Sequence, residues 1–502
     1  MTVYNINLGI GWASSGVEYA QIYRAKALRD SHIPAKFIFM DMIQHENIQH
    51  LTANIGFKDT EVIWLYQHFS DIKIAPTTYT VEQLLATIPY KLSRTENSGK
   101  TIRYFYDEEQ FFVTAYLTKE GQHTVDRAEF VSRGCLIRKD YYSYTRVFSE
   151  YYAPKNESAH LYHRRFFNED GSVAYDELID GEQSIFKMPD TLLYSKADLI
   201  AYFIRSLNLT ATDILIMDRA TDIAQPIFEA KGAAKVGTIV HAEHYSENMT
   251  DDAYILWNNY YEYEFMHADI IDFFVTSTEA QTATLAAQFA KYTPFRPKIY
   301  TIPVGGLSTL QTPDANGRKP YSLVTASRLA SEKHIDWLVR AVVQAKQTIP
   351  ALSFDIYGNG GEKERLEQLI QALQAQDYIQ LKGHHHLEHV YRQYQAYIAA
   401  STSEGFGLTL MEAVGSGLLM IGFDVPYGNP TFIRNGKNGY LIPKESDDSQ
   451  QLVAQLAQAI ETLFQRDDFE QMHWQSYEIG SRYLSQSISE KWASLVEEVL
   501  HD

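Results

Sequence analysis

The chain is poor in cysteine and in long apolar runs. Its 502 residues include a single cysteine, Cys135, which cannot form an internal disulfide. No window reaches the ~18 consecutive apolar residues of a membrane-spanning helix. The N-terminus begins as a strand, without the basic and apolar leader of a secreted protein. We therefore expect a cytoplasmic protein that does not span a membrane, although peripheral attachment stays open.

Positive charge is scarce as well. Lys and Arg number 44 against 63 Asp and Glu, which gives a formal net charge of −19. No basic cluster stands out, so a nucleic acid is a poor candidate partner. With 45% hydrophobic and 21% charged residues, the composition is that of a folded globular protein. Because single cores stop growing at ~250–300 residues, the length predicts two or three domains.

Short apolar runs alternate with amphipathic helical stretches from about Tyr321 onward. This alternation indicates parallel strands joined by crossover helices, and hence one doubly wound domain. Two of its helices are predicted over Ile335–Gln347 and Lys363–Leu373. The predicted strands are Ser322–Thr325, Ser353–Tyr357, Tyr378–Leu381, Ala396–Ala399, Leu418–Gly422 and Gly439–Ile442.

The start of the chain follows the same pattern. A strand at Val3–Asn7 precedes a glycine-rich loop, a helix from about Val17 and a strand at Lys36–Met40. After an interruption of about 160 residues the pattern resumes. The later strands are predicted at Ile214–Met217, Val236–Val240 and Phe273–Val275. A second doubly wound domain is therefore split by an insertion.

These patterns predict an α/β protein with four segments. Residues 1–45 and 205–308 are expected to form an N-terminal Rossmann-like domain. Residues 46–204 would form an inserted β-rich domain. Residues 309–480 would form a C-terminal Rossmann-like domain, and residues 481–502 a C-terminal helix that packs on the first domain.

The insertion is rich in aromatic residues, with 17 between Tyr104 and Tyr175, many of which alternate with polar residues. Turn clusters at residues 119–121 and 168–171 interrupt the alternation, which predicts an antiparallel meander. On a sheet with one open face, such rings suit a platform that binds another protein. The alternative is that they fill the core of the sheet, and both uses are expected.

The segment from Glu404 to Glu412 (EGFGLTLME) places two carboxylates eight positions apart across a glycine turn that leads into a helix. The N–H groups and the macrodipole at such a helix start attract a diphosphate. Glu404 can accept hydrogen bonds from sugar hydroxyls, and Glu412, about two turns into the helix, from ribose hydroxyls. The alternative is an ordinary glycine loop with exposed glutamates, but the flanking sequence favours a binding site for a sugar nucleotide.

Arg328 and Lys333 lie between a predicted strand and a helix, where open parallel sheets bind ligands. Arg bridges phosphate oxygens bidentately and Lys adds a point charge, so the two can neutralise a leaving diphosphate without a metal ion. The alternative is a pair of solvated cations, which would oppose the helix dipole. Phosphate binding is the favoured interpretation.

Residues at other strand ends are expected to line the same ligand-binding crevice as Arg328 and Lys333. Tyr357–Gly361 would form part of its wall, and the backbone at Gly383 and His384 can contact a nucleobase. A metal site at His384–His386 is disfavoured, because consecutive side chains do not easily converge on one ion. His241, at the exit of a strand, is either a sugar contact or a satisfied structural histidine.

The loop Gly9–Gly16 departs from the dinucleotide fingerprint, whose final glycine would fall at Ser14. This disfavours a Rossmann dehydrogenase, although Asp41 after the second strand could hold a cofactor ribose. A better explanation is close approach of backbone to a diphosphate from the opposite wall. The residues concerned are Gly16, Val17, Glu18 and Tyr19.

Together these motifs resemble the family-4 retaining glycosyltransferases, which have the GT-B fold of two doubly wound Rossmann-like domains. The motifs are Arg328 with Lys333, Glu404 with Glu412, and the glycine loop at Gly11–Gly16. More narrowly, Asn5–Tyr19, the aromatic insertion and Val240–Asn248 resemble the catalytic GtfA family of accessory-Sec glycosyltransferases. This likeness extends over nearly the whole chain.

The resemblance implies retaining transfer of N-acetylglucosamine (GlcNAc) from UDP-GlcNAc to Ser or Thr of a serine-rich-repeat adhesin in the cytoplasm. A GtfB-like partner subunit is implied, and peripheral membrane contact is possible. By the same resemblance the N-terminal Rossmann-like domain would lie on the acceptor side, the C-terminal one would bind the donor, and the inserted domain would bind the partner and acceptor. No metal or other cofactor is expected. The implied UDP contacts are Gly16, Val17, Glu18, Tyr19, Arg328, Lys333, Gly383, His384 and Glu412. The implied sugar contacts are His241, Glu404, Gly405, Phe406 and Gly407, and the implied catalytic residues are Arg328, Lys333 and Glu404.

Two alternatives stay open. A retaining glucosyltransferase acting on polyol-phosphate teichoic acid would need a basic acceptor groove, whereas the insertion shows only scattered cations such as Arg164 and Arg165. A non-catalytic, lectin-like or chaperone subunit would be expected to have lost Arg328, Lys333 or one of the glutamates. The sequence does not separate GlcNAc from glucose as the donor sugar.

Overall fold

The structure, a computed structural model, describes residues 1–11, 16–315 and 317–501. It divides into two compact units, one of residues 1–25 and 33–237, the other of residues 26–32 and all those from Thr238 onward. None of the helices in these described ranges is long and apolar enough to cross a membrane.

The strands of both units are numbered in chain order. They are β1 Val3–Asn7, β2 Ala35–Phe39, β3 Val62–Trp64, β4 Arg94–Ser98, β5 Thr101–Tyr106, β6 Phe111–Leu117, β7 Val125–Ser132, β8 Cys135–Tyr142, β9 Arg146–Lys155, β10 Ser158–Phe167, β11 Val173–Asp180, β12 Gln183–Lys187, β13 Leu192–Leu193, β14 Ile214–Met217, β15 Lys235–Val240, β16 Phe273–Thr276, β17 Ile299–Thr301, β18 Ser322–Ala326, β19 Ser353–Tyr357, β20 Ile379–Gly383, β21 Ala396–Ile398, β22 Leu419–Asp424 and β23 Gly439–Pro443.

The α-helices are α1 Gly16–Asp30, α2 Ile48–Ile55, α3 Val81–Ala86, α4 Lys196–Ser206, α5 Ala224–Ala230, α6 Glu262–Met266, α7 Glu279–Tyr292, α8 Ile335–Lys346, α9 Lys363–Ala372, α10 Leu408–Gly415, α11 Gly428–Phe432, α12 Ser449–Phe464, α13 Phe469–Ser481 and α14 Ser485–His501. Short 3-10 turns occur at Asp59–Glu61, Asp107–Glu109, Glu247–Met249, Ser331–Lys333 and Tyr391–Gln393.

The first unit contains a parallel sheet in which β1 lies between β14 and β2, with β3 beyond β2. The predicted strands Val3–Asn7 and Ile214–Met217 are confirmed. Because β2 follows β1 in the chain whereas β14 comes much later, the strand order reverses between β1 and β14. Open α/β sheets bind ligands beyond the carboxyl ends of strands at such a point. The sheet includes Trp64, although the inserted domain is predicted from residue 46, and the domain boundaries stay predictions.

The insertion forms a ten-stranded sheet in which β4 to β13 follow one another in space as they do in the chain. Neighbouring strands are antiparallel, which confirms the predicted meander. One face of its first strands packs on α3 through a buried cluster that includes Leu84, Tyr104 and Val113. More than half of the 17 aromatic residues are buried, so their predicted use as core is confirmed. Their use in binding stays a prediction.

A row of mostly charged residues crosses eight strands of this sheet, from β4 to β11. The ladder aligns Glu96, Arg103, Thr114, Glu129, Lys139, Glu150, Arg164 and Glu177, and we call these residues the charged row. Opposite charges are neighbours along most of it. Arg164 contacts Glu150 at 2.8 Å and Glu177 at 3.0 Å, and Lys139 contacts Glu129 at 3.3 Å.

The second unit contains a six-stranded sheet with the order β20-β19-β18-β21-β22-β23. All of its neighbouring pairs are parallel. Apolar clusters cover both faces, as expected for buried parallel strands. The six strands and two helices predicted here are confirmed within about two residues at each end. The strand order reverses between β18 and β21, which marks where a ligand is expected.

The C-terminal helix α14 packs through its apolar side. Ile488, Trp492 and Leu495 are buried. Lys491 Nζ donates to the carbonyl of Thr301, at the end of β17, at 3.2 Å. The apolar spacing at the end of the chain is therefore that of a packing helix.

Candidate functional site

The glycine turn after Glu404 leads into α10 as predicted. Gly407 precedes the helix with φ of 85°, a left-handed conformation that favours glycine. The first N–H groups of a helix lack an intrahelical acceptor, so this end of α10 attracts an anion. Glu412 is closer to the helix start than predicted. It lies four residues after Leu408, which is little more than one turn.

Lys333 and Glu404 form an ion pair. The Nζ of Lys333 donates to Oε2 of Glu404 at 2.7 Å, and the two side chains are 17% and 22% exposed. Lys333 follows β18 and Glu404 follows β21, so the pair spans the point where the strand order reverses. The structure thus brings together two of the predicted site residues.

Arg328 lies in a different environment. Its side chain is 72% exposed and contacts Glu332, in the same loop, at 3.2 Å. Exposed ion pairs of this kind contribute little stability, because water screens them. The guanidinium can therefore exchange Glu332 for a bound phosphate at small cost.

Two glycines set the position of the Arg328 loop. A Cβ on Gly358 would lie 1.8 Å from the carbonyl oxygen of Ser327, and one on Gly360 would lie 2.3 Å from that of Leu329. The N–H of Gly358 also donates to the carbonyl of Gly383 at 2.8 Å. The loops at Arg328, Tyr357–Gly361 and Gly383 are therefore adjacent, and their predicted role as one wall of the ligand crevice stays a prediction. The residue after Gly383, His384, is exposed.

Glu412 is partly buried on α10. Burial raises the pKa of its carboxyl to about 7, while a hydrogen bond with Tyr391 acts in the opposite direction. The nearby charge of Glu388 adds to the rise. This carboxyl therefore changes its protonation state close to neutral pH.

Tyr397 is a buried residue of β21 that the sequence analysis did not identify. Its hydroxyl donates to the carbonyl of Ala326 at 3.0 Å and lies 3.0 Å from Oγ1 of Thr409. It therefore connects the end of β18 to the first turn of α10. In the sequence it is indistinguishable from a core aromatic residue, so no local signal could have found it.

His241 and the Glu404 turn lie next to each other. A Cβ on Gly405 would come 2.8 Å from the carbonyl oxygen of His241, so only glycine permits this approach. Phe406 is buried and its ring packs on Phe432 with centroids 5.1 Å apart. Phe406 can therefore offer a sugar only its backbone.

Gly16 to Tyr19 form the first turn of α1. The carboxylate of Glu18 is buried and accepts hydrogen bonds from Asn7 at 3.4 Å and Arg219 at 3.2 Å. The side chain of Glu18 is therefore engaged within the first unit, and the diphosphate contact predicted for the backbone of this turn stays a prediction. Ser14 lies outside the described residues.

Asp41 accepts a hydrogen bond from Nζ of Lys196 at 2.7 Å. Its carboxylate is thus engaged by a lysine, whereas the alternative prediction assigned it to a cofactor ribose. Over residues 1–11, 16–315 and 317–501, no group of three or more His, Cys, Asp or Glu side chains is placed to hold a metal ion.

Known proteins are similar to this chain in two of its segments and over its full length. Residues 94–190 match the family described as the GtfA extended beta-sheet domain, and residues 311–472 match the glycosyl transferases group 1. Over its full length the chain is 56% identical to the UDP-N-acetylglucosamine–peptide N-acetylglucosaminyltransferase GtfA subunit of Streptococcus gordonii, and it covers 99% of that protein. The chain belongs to the GtfA family.

Solved structures of GtfA proteins match over the whole chain. The pneumococcal O-GlcNAc transferase GtfA, in complex with UDP and GlcNAc, has a TM-score of 0.95 at 56% identity, with 99% of that chain covered. A GtfA/B complex has a TM-score of 0.96 at 55% identity, with 100% of the matched chain covered. The predicted GT-B fold, with an antiparallel domain inserted in the first of two Rossmann-like domains, is therefore confirmed.

Proposed function

We propose that this protein transfers GlcNAc from UDP-GlcNAc to Ser or Thr of a serine-rich-repeat adhesin, with retention of configuration and together with a GtfB-like subunit. The observation that carries the proposal is the Lys333–Glu404 ion pair beside the start of α10, where the strand order reverses. The names of the GtfA relatives support the donor and the peptide acceptor, and the GtfA/B complex supports the partner.

The proposed donor lies along the carboxyl ends of β18, β20 and β21. Its diphosphate meets the start of α10, Lys333 and a reoriented Arg328. Its ribose hydroxyls meet Glu412, and its base lies by Gly383 and His384. Its sugar contacts His241, Glu404 and the backbone of Gly405 to Gly407. A diphosphate contact by the first turn of α1, Gly16 to Tyr19, rests on the sequence pattern alone.

The proposed reaction is a front-face displacement. The bond between the anomeric carbon and the diphosphate oxygen breaks, the acceptor hydroxyl attacks from the same face, and its proton passes to the leaving phosphate. Lys333, Arg328 and the helix start stabilise the negative charge that develops on the diphosphate. Because Glu404 is engaged by Lys333, it orients the sugar instead of acting as a general base.

The acceptor is better explained as a protein than as a polyol-phosphate polymer. Arg164 is engaged by Glu150 and Glu177, and Arg165 by Asp176 at 2.7 Å. These cations are therefore not available as a basic groove for phosphates. A non-catalytic role is disfavoured, because the two cations and both glutamates are present. Location in the cytoplasm, with possible contact with the inner face of the membrane, is part of the proposal.

The test is incubation with a serine-rich peptide and either UDP-GlcNAc or UDP-glucose, with and without the partner subunit, followed by intact mass. We expect the peptide to gain N-acetylhexosamine, and the Glu404→Ala variant to transfer at least ~10²-fold less. A gain of hexose alone would overturn the choice of donor. Transfer to a polyol-phosphate polymer but not to the peptide would favour the teichoic acid alternative.

A further inference from the structure

The loop after β22 holds the backbone of Glu404. The N–H of Glu404 donates to the carbonyl of Pro426 at 3.1 Å, and the N–H groups of Tyr427 and Gly428 both donate to the carbonyl of Glu404 at 2.7 Å. A Cβ on Gly428 would lie 2.2 Å from the carbonyl oxygen of Phe406. The position of Glu404 in space is therefore set by the loop that carries Tyr427.

The side chain of Tyr427 reaches the segment that carries His241. Its hydroxyl donates to Oε1 of Glu243 at 2.9 Å, two residues after His241. Its ring is 4% exposed and lies nearly parallel to the imidazole of His244, at 18° with centroids 6.1 Å apart. Nε2 of His244 lies 2.7 Å from Oε1 of Gln288, and burial lowers the pKa of His244 to about 4, so this ring is neutral near pH 7.

The segment after β15 is itself fixed in place. The hydroxyl of Tyr261 accepts hydrogen bonds from the N–H groups of His241 and Ala242, both at 3.1 Å. Nδ2 of Asn258 donates to the carbonyl of Glu243 at 3.1 Å. Glu243 is therefore a carboxylate on a rigid backbone, and a hydrogen bond to it can locate another loop.

We propose that Tyr427 and Glu243 are positioning residues for sugar transfer, whose hydrogen bond sets the distance between the Glu404 turn and His241. The proposal rests on the proposed function, because it assumes that these two segments contact the transferred sugar. Neither Tyr427 nor Glu243 needs to touch the donor. The competing explanation is that Tyr427 is a core aromatic residue, whose hydroxyl contributes only to stability.

The decisive variant is Tyr427→Phe, which keeps the ring and removes the hydroxyl. A small displacement of a group that acts in the transition state costs rate, so we expect kcat to fall about 10-fold and KM for UDP-GlcNAc to change less than kcat. Glu243→Gln keeps an acceptor oxygen and should retain most activity, whereas Glu243→Leu should match Tyr427→Phe. The control is Tyr260→Phe, at an exposed tyrosine of the same unit, with unchanged kinetics expected.

A double variant separates positioning from stability. If Tyr427 acts through Glu404, Tyr427→Phe should lower the residual rate of Glu404→Ala less than about 2-fold, because the two effects are coupled. A full 10-fold loss in that background, or an unchanged kcat in the single variant, would overturn the proposal. If the peptide is not a substrate, the same single and double variants can be compared by their rates of UDP release without acceptor. A wild-type chain that releases no UDP with any acceptor would overturn the proposed function instead.

Discussion

The six-stranded parallel sheet and the ten-stranded antiparallel sheet place their polar residues differently. β18 is buried throughout and β22 is buried except at Asp424, with apolar clusters on both faces. Candidate site residues in this sheet therefore lie beyond the strand ends. In the antiparallel sheet, β10 is buried only at Phe166 and Phe167, and the charged row runs across the face of the sheet.

This difference indicates that the loop ends of the parallel sheet and the face of the antiparallel sheet have different functions. Side chains that converge from several loop ends can surround one small donor, whereas a broad sheet face can only meet another broad surface. Changes at the loop ends should affect chemistry with any acceptor. Changes on the sheet face should affect only reactions that need the partner or a long acceptor.

The largest effect is expected at the loop ends. Lys333→Ala, Glu404→Gln and Arg328→Ala should each lower the rate of UDP release and of peptide transfer by ~10²-fold or more, since each removes a charge that is proposed to act on the donor in the transition state. Lys363→Ala, at an exposed lysine of α9, is the matched control and should not change either rate. Near-normal rates in all three variants would remove this site assignment.

The next effect concerns the loops that carry those side chains. Gly358→Ala introduces a Cβ against Ser327 at a φ of 132°, so the Arg328 loop must move, and we expect a loss of activity of about 10²-fold. Gly361→Ala is a sharp control, because no atom lies within 4 Å of a Cβ there. Steady-state kinetics and thermal unfolding should be compared for the two variants. Equal activity in both would show that the loop does not depend on this contact.

A smaller and more selective effect is expected on the open face of the antiparallel sheet. Arg94 lies 3.5 Å from the ring centroid of Phe105, and Arg103 lies 5.0 Å from that of Phe112. The double variant Arg94→Ser with Arg103→Ser should lower peptide transfer in the presence of the partner about 3-fold to 10-fold. Release of UDP without acceptor should stay unchanged. An equal fall in both rates would contradict the separate functions assigned to the loop ends and the sheet face.

The smallest effect concerns acid stability. Burial, aided by the charge of Arg318, lowers the pKa of His473 to about 4 from its usual 6.5. The unfolded chain then binds a proton that the folded protein does not, so stability should fall as the pH drops from about 6.5 towards 4. His473→Gln should make this fall shallower in urea unfolding at pH 7, 6 and 5.

The antiparallel sheet supplies the contrast for this measurement. Burial acts to raise the pKa of Glu150, but hydrogen bonds from Tyr152 and Arg164 outweigh it and lower the pKa. Glu150 therefore stabilises the folded protein at pH values above its ordinary pKa near 4.5, and this contribution is lost only as the pH falls below that value. If the His473→Gln variant and the wild type lost stability equally between pH 7 and 5, the acid response would not come from His473.

Local patterns predicted the strands and the glycine turns well. β19 and β14 were predicted to the residue, because a buried parallel strand is a short apolar run between turn signals. The meander was also recognised from its alternation. The three-residue strand β3 was not predicted, since a run as short as Val62–Trp64 has no period of its own.

The contacts that connect one loop to another could not be predicted from the sequence. Tyr397 and Tyr427 contact partners far away in the chain, and a tyrosine in or after an apolar strand looks the same whether its hydroxyl bridges two loops or merely finds an acceptor. Tyr427 follows β22 just as Glu404 follows β21, so its place after a strand end was an available signal. The ion pair of Lys333 with Glu404 depends on strand order, which no local pattern encodes.

The charged row has a consequence for how the antiparallel sheet reaches its native pairing. A shift of one residue between β9 and β10 would turn one partner to the opposite face, and a shift of two would set Arg164 against Phe148 or Tyr152. Either alignment would leave buried charges without partners, which is strongly unfavourable. Only one alignment pairs Arg164 with both Glu150 and Glu177. Misaligned pairings of these strands should therefore be less stable than the native alignment.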